Sequence, residues 1–187
     1  NSFSTSADLD YVIPYHKNGE ISMGVSGSFD LGKNLTRYDT LVFDTDLFNL
    51  DSLRFKNTDE KEYDFDTYVT IQHKFGDFTI KGGLRSEYVH YDYQILNSPK
   101  DNVKRGYWSL YPSLHLSYRT KSMHNLKLSY TRRVSNPSAS RLSTFVTYNE
   151  DSYSMGNPDL LPSYTNSFEF GWTKFFNKFG NVGLTAY

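Results

Sequence analysis

The chain has no cysteine, which excludes disulfides, thiolate metal centres and cysteine nucleophiles. No apolar run approaches the ~20 residues of a membrane-crossing helix, and no basic start followed by an apolar stretch marks a signal peptide. Charge of one sign is missing as well. Lys+Arg number 20 against 21 Asp+Glu, so no net field recruits nucleic acid or an anionic surface, and nucleic acid is not an expected partner. Apolar residues are sparse at 37%, and mean hydropathy is -0.61.

Aromatic residues are plentiful, at 17% of the chain. A chain that is polar on average yet rich in rings has the composition of a transmembrane β-barrel. Period-two alternation supports that reading, running in segments of about ten residues, the length a tilted strand needs to cross a bilayer. Phe3, Thr5, Ala7, Leu9, Tyr11 and Ile13 alternate with Ser4, Ser6, Asp8 and Asp10. Ile21, Met23, Val25 and Phe29 alternate with Glu20, Ser22, Ser26 and Ser28. The third and fourth segments set Tyr63, Phe65, Val69 and Ile71 against Asp64 and Asp66, then Phe78, Ile80 and Leu84 against Lys81, Arg85 and Glu87. The fifth and sixth carry Trp108, Leu110, Leu114, Leu116 and Tyr118, then Leu126, Leu128 and Tyr130. In the seventh Phe168, Phe170 and Trp172 face away from Ser167, Glu169 and Thr173, and the eighth comprises Val182, Leu184 and Ala186.

Tight turns are expected near Pro14 to Gly19, Lys74 to Asp77, Thr120 to His124 and Asn177 to Gly180. Long polar connections span roughly Gly32 to Glu62, Gln94 to Gly106 and Arg133 to Ser163. Short turns at one end and long loops at the other define an all-β, antiparallel up-and-down meander of about eight strands. In that arrangement both termini point to the long-loop end, whereas barrels with an even strand number keep both on the short-turn side. An open segment of a larger transmembrane barrel is therefore expected over residues 1–187. A complete eight-stranded barrel with a structural or adhesive role is the first alternative, and a soluble β-sandwich binding module is the second.

The C-terminal third contains Tyr111-Pro112-Ser113-Leu114, Leu128-Ser129-Tyr130-Thr131-Arg132-Arg133 and Gly156-Asn157-Pro158-Asp159-Leu160-Leu161-Pro162, the last leading to a strand with Glu169. These stretches resemble the barrel of TonB-dependent receptor-like outer-membrane proteins of the Bacteroidetes type. The resemblance implies a barrel of about 22 strands with a plugged lumen. It further implies uptake of a bulky nutrient, with the TonB complex as partner through a plug. No plug, TonB-contacting segment or closing strand is recognised in residues 1–187. Independently, Pro158 and Pro162 fix φ and brace the loop as it meets the strand.

Catalytic and metal-binding patterns are weak. His16, His73, His90, His115 and His124 lack ligand spacing. Asp39, Asp44, Asp46, Asp51, Asp59 and Glu60 lack the glycine and terminal glutamate of a calcium loop. Gly24-Val25-Ser26-Gly27 has the wrong spacing for a nucleophile elbow. No enzyme, cofactor or metal site is expected.

The expected functional residues are therefore surfaces. Leu114, Leu116, Leu126, Leu128, Phe168, Phe170 and Trp172 should face outer-membrane lipid, and Asp64, Asp66, Lys81, Arg85, Glu87 and Glu169 should line a polar lumen. Tyr11, Tyr15, Tyr88, Tyr107, Trp108, Tyr111, Trp172, Phe175 and Phe176 fall near expected strand ends, where rings settle at a membrane interface.

Overall fold

The computed structural model describes residues 1–42, 44, 46–149, 151–176 and 180–187. Eight strands form one antiparallel sheet: β1 (Ser2–Tyr15), β2 (Gly19–Thr36), β5 (Lys56–Phe75), β6 (Phe78–Ile95), β7 (Val103–Arg119), β8 (His124–Ser135), β11 (Ser163–Phe176) and β12 (Gly180–Ala186). Each pairs with its sequence neighbour in that order, so β1 and β12 are the two edges. The sheet is open, as expected. A small closed barrel would pair β1 with β12, and a sandwich would split the strands between two facing sheets.

Three of the short connections have visible local causes. Gly76 joins β5 to β6 at φ 61, supplying the positive φ that two-residue hairpin loops require. His16 sits at φ 51 in the turn after β1. Thr120 closes the β7–β8 turn, with its hydroxyl accepting from the His124 amide at 3.1 Å. The fourth expected turn falls on residues 177–179, outside the described residues.

The long ends differ from expectation in extent. β5 runs for 20 residues and β2 and β6 for 18 each, so pairing continues through Gly32, Glu62, Gln94 and Gly106, where loops were expected. Ladder hydrogen bonds are made by the backbone, and they persist where side chains turn polar. The first loop carries a small hairpin of β3 (Asp39–Val42) and β4 (Leu47–Leu50). A 3₁₀ turn at Pro99–Asp101 lies in the second. The third holds α1 (Ala139–Leu142) and a two-residue ribbon of β9 (Thr147–Tyr148) with β10 (Tyr153–Ser154).

Buried apolar side chains gather in one cluster at the long-loop end. Val89, Tyr91, Tyr93 and Ile95 of β6 and Tyr107 of β7 pack with Ala139 and Leu142 of α1. The third loop therefore folds back over the sheet, and the glycine-proline stretch fastens it there. Gly156 donates its amide to Ser143 O at 2.9 Å, and Asn157 donates to Arg141 O at 2.7 Å. Arg105 then donates to Pro158 O at 2.6 Å, and the Tyr107 hydroxyl donates to Leu160 O at 3.3 Å. The stretch thus braces the loop against β7 as well as leading into β11.

Candidate functional site

Side chains of directly paired residues share a face of the sheet, and each step of one residue alternates faces. The register therefore sorts the whole sheet. Leu116 pairs with Leu128, and Leu128 with Phe170; Tyr118 pairs with Leu126, and Leu126 with Trp172. Leu114, Tyr130 and Phe168 form the next row on that face. Gly82 pairs with both Leu114 and Ile71, and Ile71 leads through Ile21 to Ile13. All seven expected apolar site residues consequently share one face, and so do the apolar sets of the other strands. That face is exposed: Leu9 is 69%, Phe168 65% and Leu184 65% accessible.

Rings bound the apolar face at both ends. At the short-turn end Phe78, Tyr118 and Trp172 lie in one register row, and Tyr15 stacks on His73 with centroids 5.5 Å apart. Towards the long loops Phe29 stacks on Tyr63 at 4.7 Å, Tyr88 meets Trp108 at 5.9 Å, and Tyr130 meets Phe168 at 4.8 Å. Beyond this second belt the same face becomes polar. Lys33 and Asp59 form an ion pair at 3.4 Å, and Arg132 Nε donates to Asn166 Oδ1 at 2.9 Å.

The opposite face carries Asp64, Asp66, Lys81, Arg85, Glu87 and Glu169. Arg85 is its centre: Nε donates to Asp66 Oδ1 at 2.8 Å, Nη2 bonds Glu87, and the guanidinium lies 4.9 Å from the Tyr111 ring centroid. Glu87 Oε1 accepts from the Tyr111 hydroxyl at 2.7 Å and from Asn136 Nδ2 at 3.5 Å. Asp64 Oδ2 accepts from Ser28 at 3.3 Å. Lys81 and Glu169 stand apart from this cluster, in a row that runs Lys81, His115, Ser129, Glu169 over four strands. The arrangement is a polar lining with one fixed cation among carboxylates.

Three of the expected interface rings are placed differently. Tyr107 lies on the polar face beneath α1 and is buried there, while Tyr111 lies on that face beside Arg85. Alternation explains the displacement, since both are odd-numbered residues of a strand whose even positions are apolar. Phe175, which pairs with Asn181, also falls on the polar-face side. Asn136 carried no sequence signal, because it joins Glu87 only when the chain leaving β8 turns over the sheet. In the first loop Asp39 pairs with Arg37 at 3.0 Å and Asp51 with Arg54 at 3.5 Å.

An open antiparallel meander with one exposed apolar face, ring belts at both ends of it and a hydrogen-bonded polar reverse is the wall of a membrane β-barrel. The chain belongs to the outer membrane protein beta-barrel family, matched over residues 1–187, and its location is the outer membrane. Among solved structures, the copper transporter OprC superposes with a TM-score of 0.71 at 12% identity, covering 95% of this chain and 28% of that one. The ferric citrate transporter FecA in its unliganded form gives 0.67 at 13% identity, covering 98% and 26%. This chain thus spans about a quarter of the length of each, and its fold is that of a segment of the barrels these two structures form. No curated protein matches it.

Proposed function

We propose that the chain is a wall segment of an outer-membrane transport barrel, with its apolar face against lipid and its polar face against a solute-conducting lumen. The observation that carries this reading is the unbroken registration of apolar side chains across eight strands between two ring belts. Phe78 and Tyr88 lie ten positions apart on β6, about 33 Å along a strand at about 3.3 Å per residue. A tilt of 35–45° reduces that to about 25 Å, the height of the lipid-facing band of outer-membrane barrels. Leu114, Leu116, Leu126, Leu128, Phe168, Phe170 and Trp172 are then the lipid contacts. Asp64, Asp66, Lys81, Arg85, Glu87 and Glu169 line the lumen.

The finer reading is energy-dependent uptake of a bulky nutrient, with a plug and the remaining strands supplied by the rest of the parent protein and force delivered by the TonB complex. It is supported by the glycine-proline stretch and by the likeness of the fold to TonB-dependent receptors. Neither copper nor ferric citrate is carried over from those structures. Nothing in the reading calls for catalysis.

The test is solute depletion from a defined mixed medium by cells with and without the gene. Loss of uptake of at least one solute, reproduced by de-energising the inner membrane of the wild type, is expected. Unchanged depletion of every solute contradicts the reading.

A further inference from the structure

At the long-loop end, a cavity of about 240 Å³ opens between the first and third loops. Its floor is set by strand residues of the polar face, with Lys56 opposite Thr36 and Tyr93 opposite Glu60. In the proposed barrel this is the mouth of the lumen, where an incoming solute first meets the protein. Lys56 Nζ lies 5.5 Å from the Tyr93 ring centroid and 5.0 Å from that of Phe145. The ammonium is held between two rings and makes no ion pair among the described residues. Arg54, the other cation of the cavity, is already paired with Asp51 at 3.5 Å. The charge available to a ligand is therefore that of Lys56.

The walls select for more than charge. Tyr38 and Tyr148, which also line the cavity, are 51% and 40% exposed. The Arg54 guanidinium lies 5.9 Å from the Tyr38 centroid, over one face of that ring, and Tyr148 meets Tyr153 at 6.4 Å, so each tyrosine keeps part of its ring surface for a ligand. Rings bind flat or ring-shaped apolar surfaces, and a lysine over aromatic faces keeps its attraction for an anion while its stem is packed. At about 240 Å³ the cavity falls below the ~300–1,000 Å³ of drug-sized sites, so it fits one ring and its substituents rather than an oligomer.

We infer that this cavity binds a small carboxylate carried on a single ring, with Lys56 holding the carboxylate and the tyrosines flanking the ring. Its role as a recruitment site for transport rests on the transport reading; binding itself does not. Sugar acids and aromatic acids share this chemistry.

The experiment is isothermal titration of the full-length parent protein in detergent with galacturonate, benzoate, galactose and acetate. Binding of galacturonate, of benzoate or of both is expected, with galactose and acetate at least about tenfold weaker, and affinity should fall as salt rises. Galacturonate alone identifies a sugar acid as the ligand, and benzoate alone an aromatic acid. Lys56→Gln should weaken binding about ten- to a hundredfold, and Lys56→Arg should restore most of it. Heat-modifiability gels check that each variant is folded, and the salt dependence of the unmodified protein tests the charge without any variant. No binding of either ring acid, equal binding of galactose, equal binding of acetate, or unchanged affinity in a folded Lys56→Gln protein would each overturn the inference. Membrane fractionation of the same protein separates that failure from a failure of the barrel reading.

Discussion

The hydroxyl of Thr144 donates a 2.6 Å hydrogen bond to Oδ1 of Asp101, 43 residues earlier in the chain. The other carboxylate oxygen accepts from Ser98 at 2.6 Å, and the Asp101 carbonyl accepts from Ser143 at 2.8 Å. One residue of the second loop therefore clasps the third. Hydrogen bonds from Ser98 and Thr144 hold the Asp101 carboxyl below the usual carboxylate range. A depressed folded value means that the contribution is fully present above the unfolded pKa, about 3.9, and disappears as pH falls through the lower folded value. Amide-exchange protection of residues 139–145, corrected for intrinsic rates, should hold from neutral pH down to about pH 4 and fall below it. Asp101→Asn should lower protection at neutral pH and flatten this dependence; an Asp101→Asn profile that overlays the unmodified protein would refute the clasp.

Gly156 is the second fastening point of the same loop. A Cβ built there would lie 2.4 Å from both Arg141 O and Ser143 O, two backbone atoms that cannot swing aside. Gly156→Ala should displace the loop at a cost of about 1–3 kcal/mol, the usual range for overpacking. Gly82→Ala, where a Cβ meets nothing within 4 Å, serves as the control. Limited proteolysis reads the outcome: cleavage within 139–160 should accelerate in Gly156→Ala alone, and equal cleavage of the two variants would contradict the fastening role.

Phe170 sits on the apolar face in one register row with Leu128, Leu116 and Ile80, inside the proposed lipid band. Phe170→Arg in the full-length parent should cost about 2–4 kcal/mol of folding free energy in a bilayer. Ser167→Arg, on the opposite face beside Thr131, should cost less than about 1 kcal/mol. Urea titration in lipid vesicles compares the two. Equal costs would mean that lipid does not distinguish the faces.

Much of this architecture was legible because a two-residue period survives in the sequence wherever one face is apolar. The pairs Leu116 with Leu128 and Leu128 with Phe170 follow from alternation once the tight turns are placed. What alternation cannot tell is which environment each face meets, and β6 shows the consequence. Up to Tyr88 its apolar residues Phe78, Ile80 and Leu84 lie on the exposed face; from Val89 onward Val89, Tyr91, Tyr93 and Ile95 lie on the other and are buried. The phase inverts where the strand leaves the apolar band, since the outer face then meets water and the inner face meets α1. Alternation followed only as far as Glu87 leaves Val89, Tyr91 and Tyr93 without an assigned face and Ile95 inside the expected loop from Gln94 to Gly106, which hid both the length of the strand and the core beneath the third loop. The loop itself was illegible for a different reason: its position depends on contacts such as Asp101 with Thr144, which no local pattern encodes.

That inversion supplies the most direct test of the apolar face as a lipid surface. These 187 residues contain no cysteine, so, with any cysteine elsewhere in the parent protein replaced by serine, single cysteines at each position from Phe78 to Ile95, spin-labelled in vesicles, report on one residue at a time. Labels at Ile80, Leu84 and Tyr88 should be relaxed by oxygen, which concentrates in lipid, and those at Lys81, Arg85 and Glu87 by a water-soluble nickel chelate. Past the belt, His90 and Asp92 should become chelate-accessible while Val89 and Tyr91 are reached by neither. Chelate access at Ile80 and Leu84 equal to that at Lys81 and Arg85 would contradict a lipid-facing apolar surface.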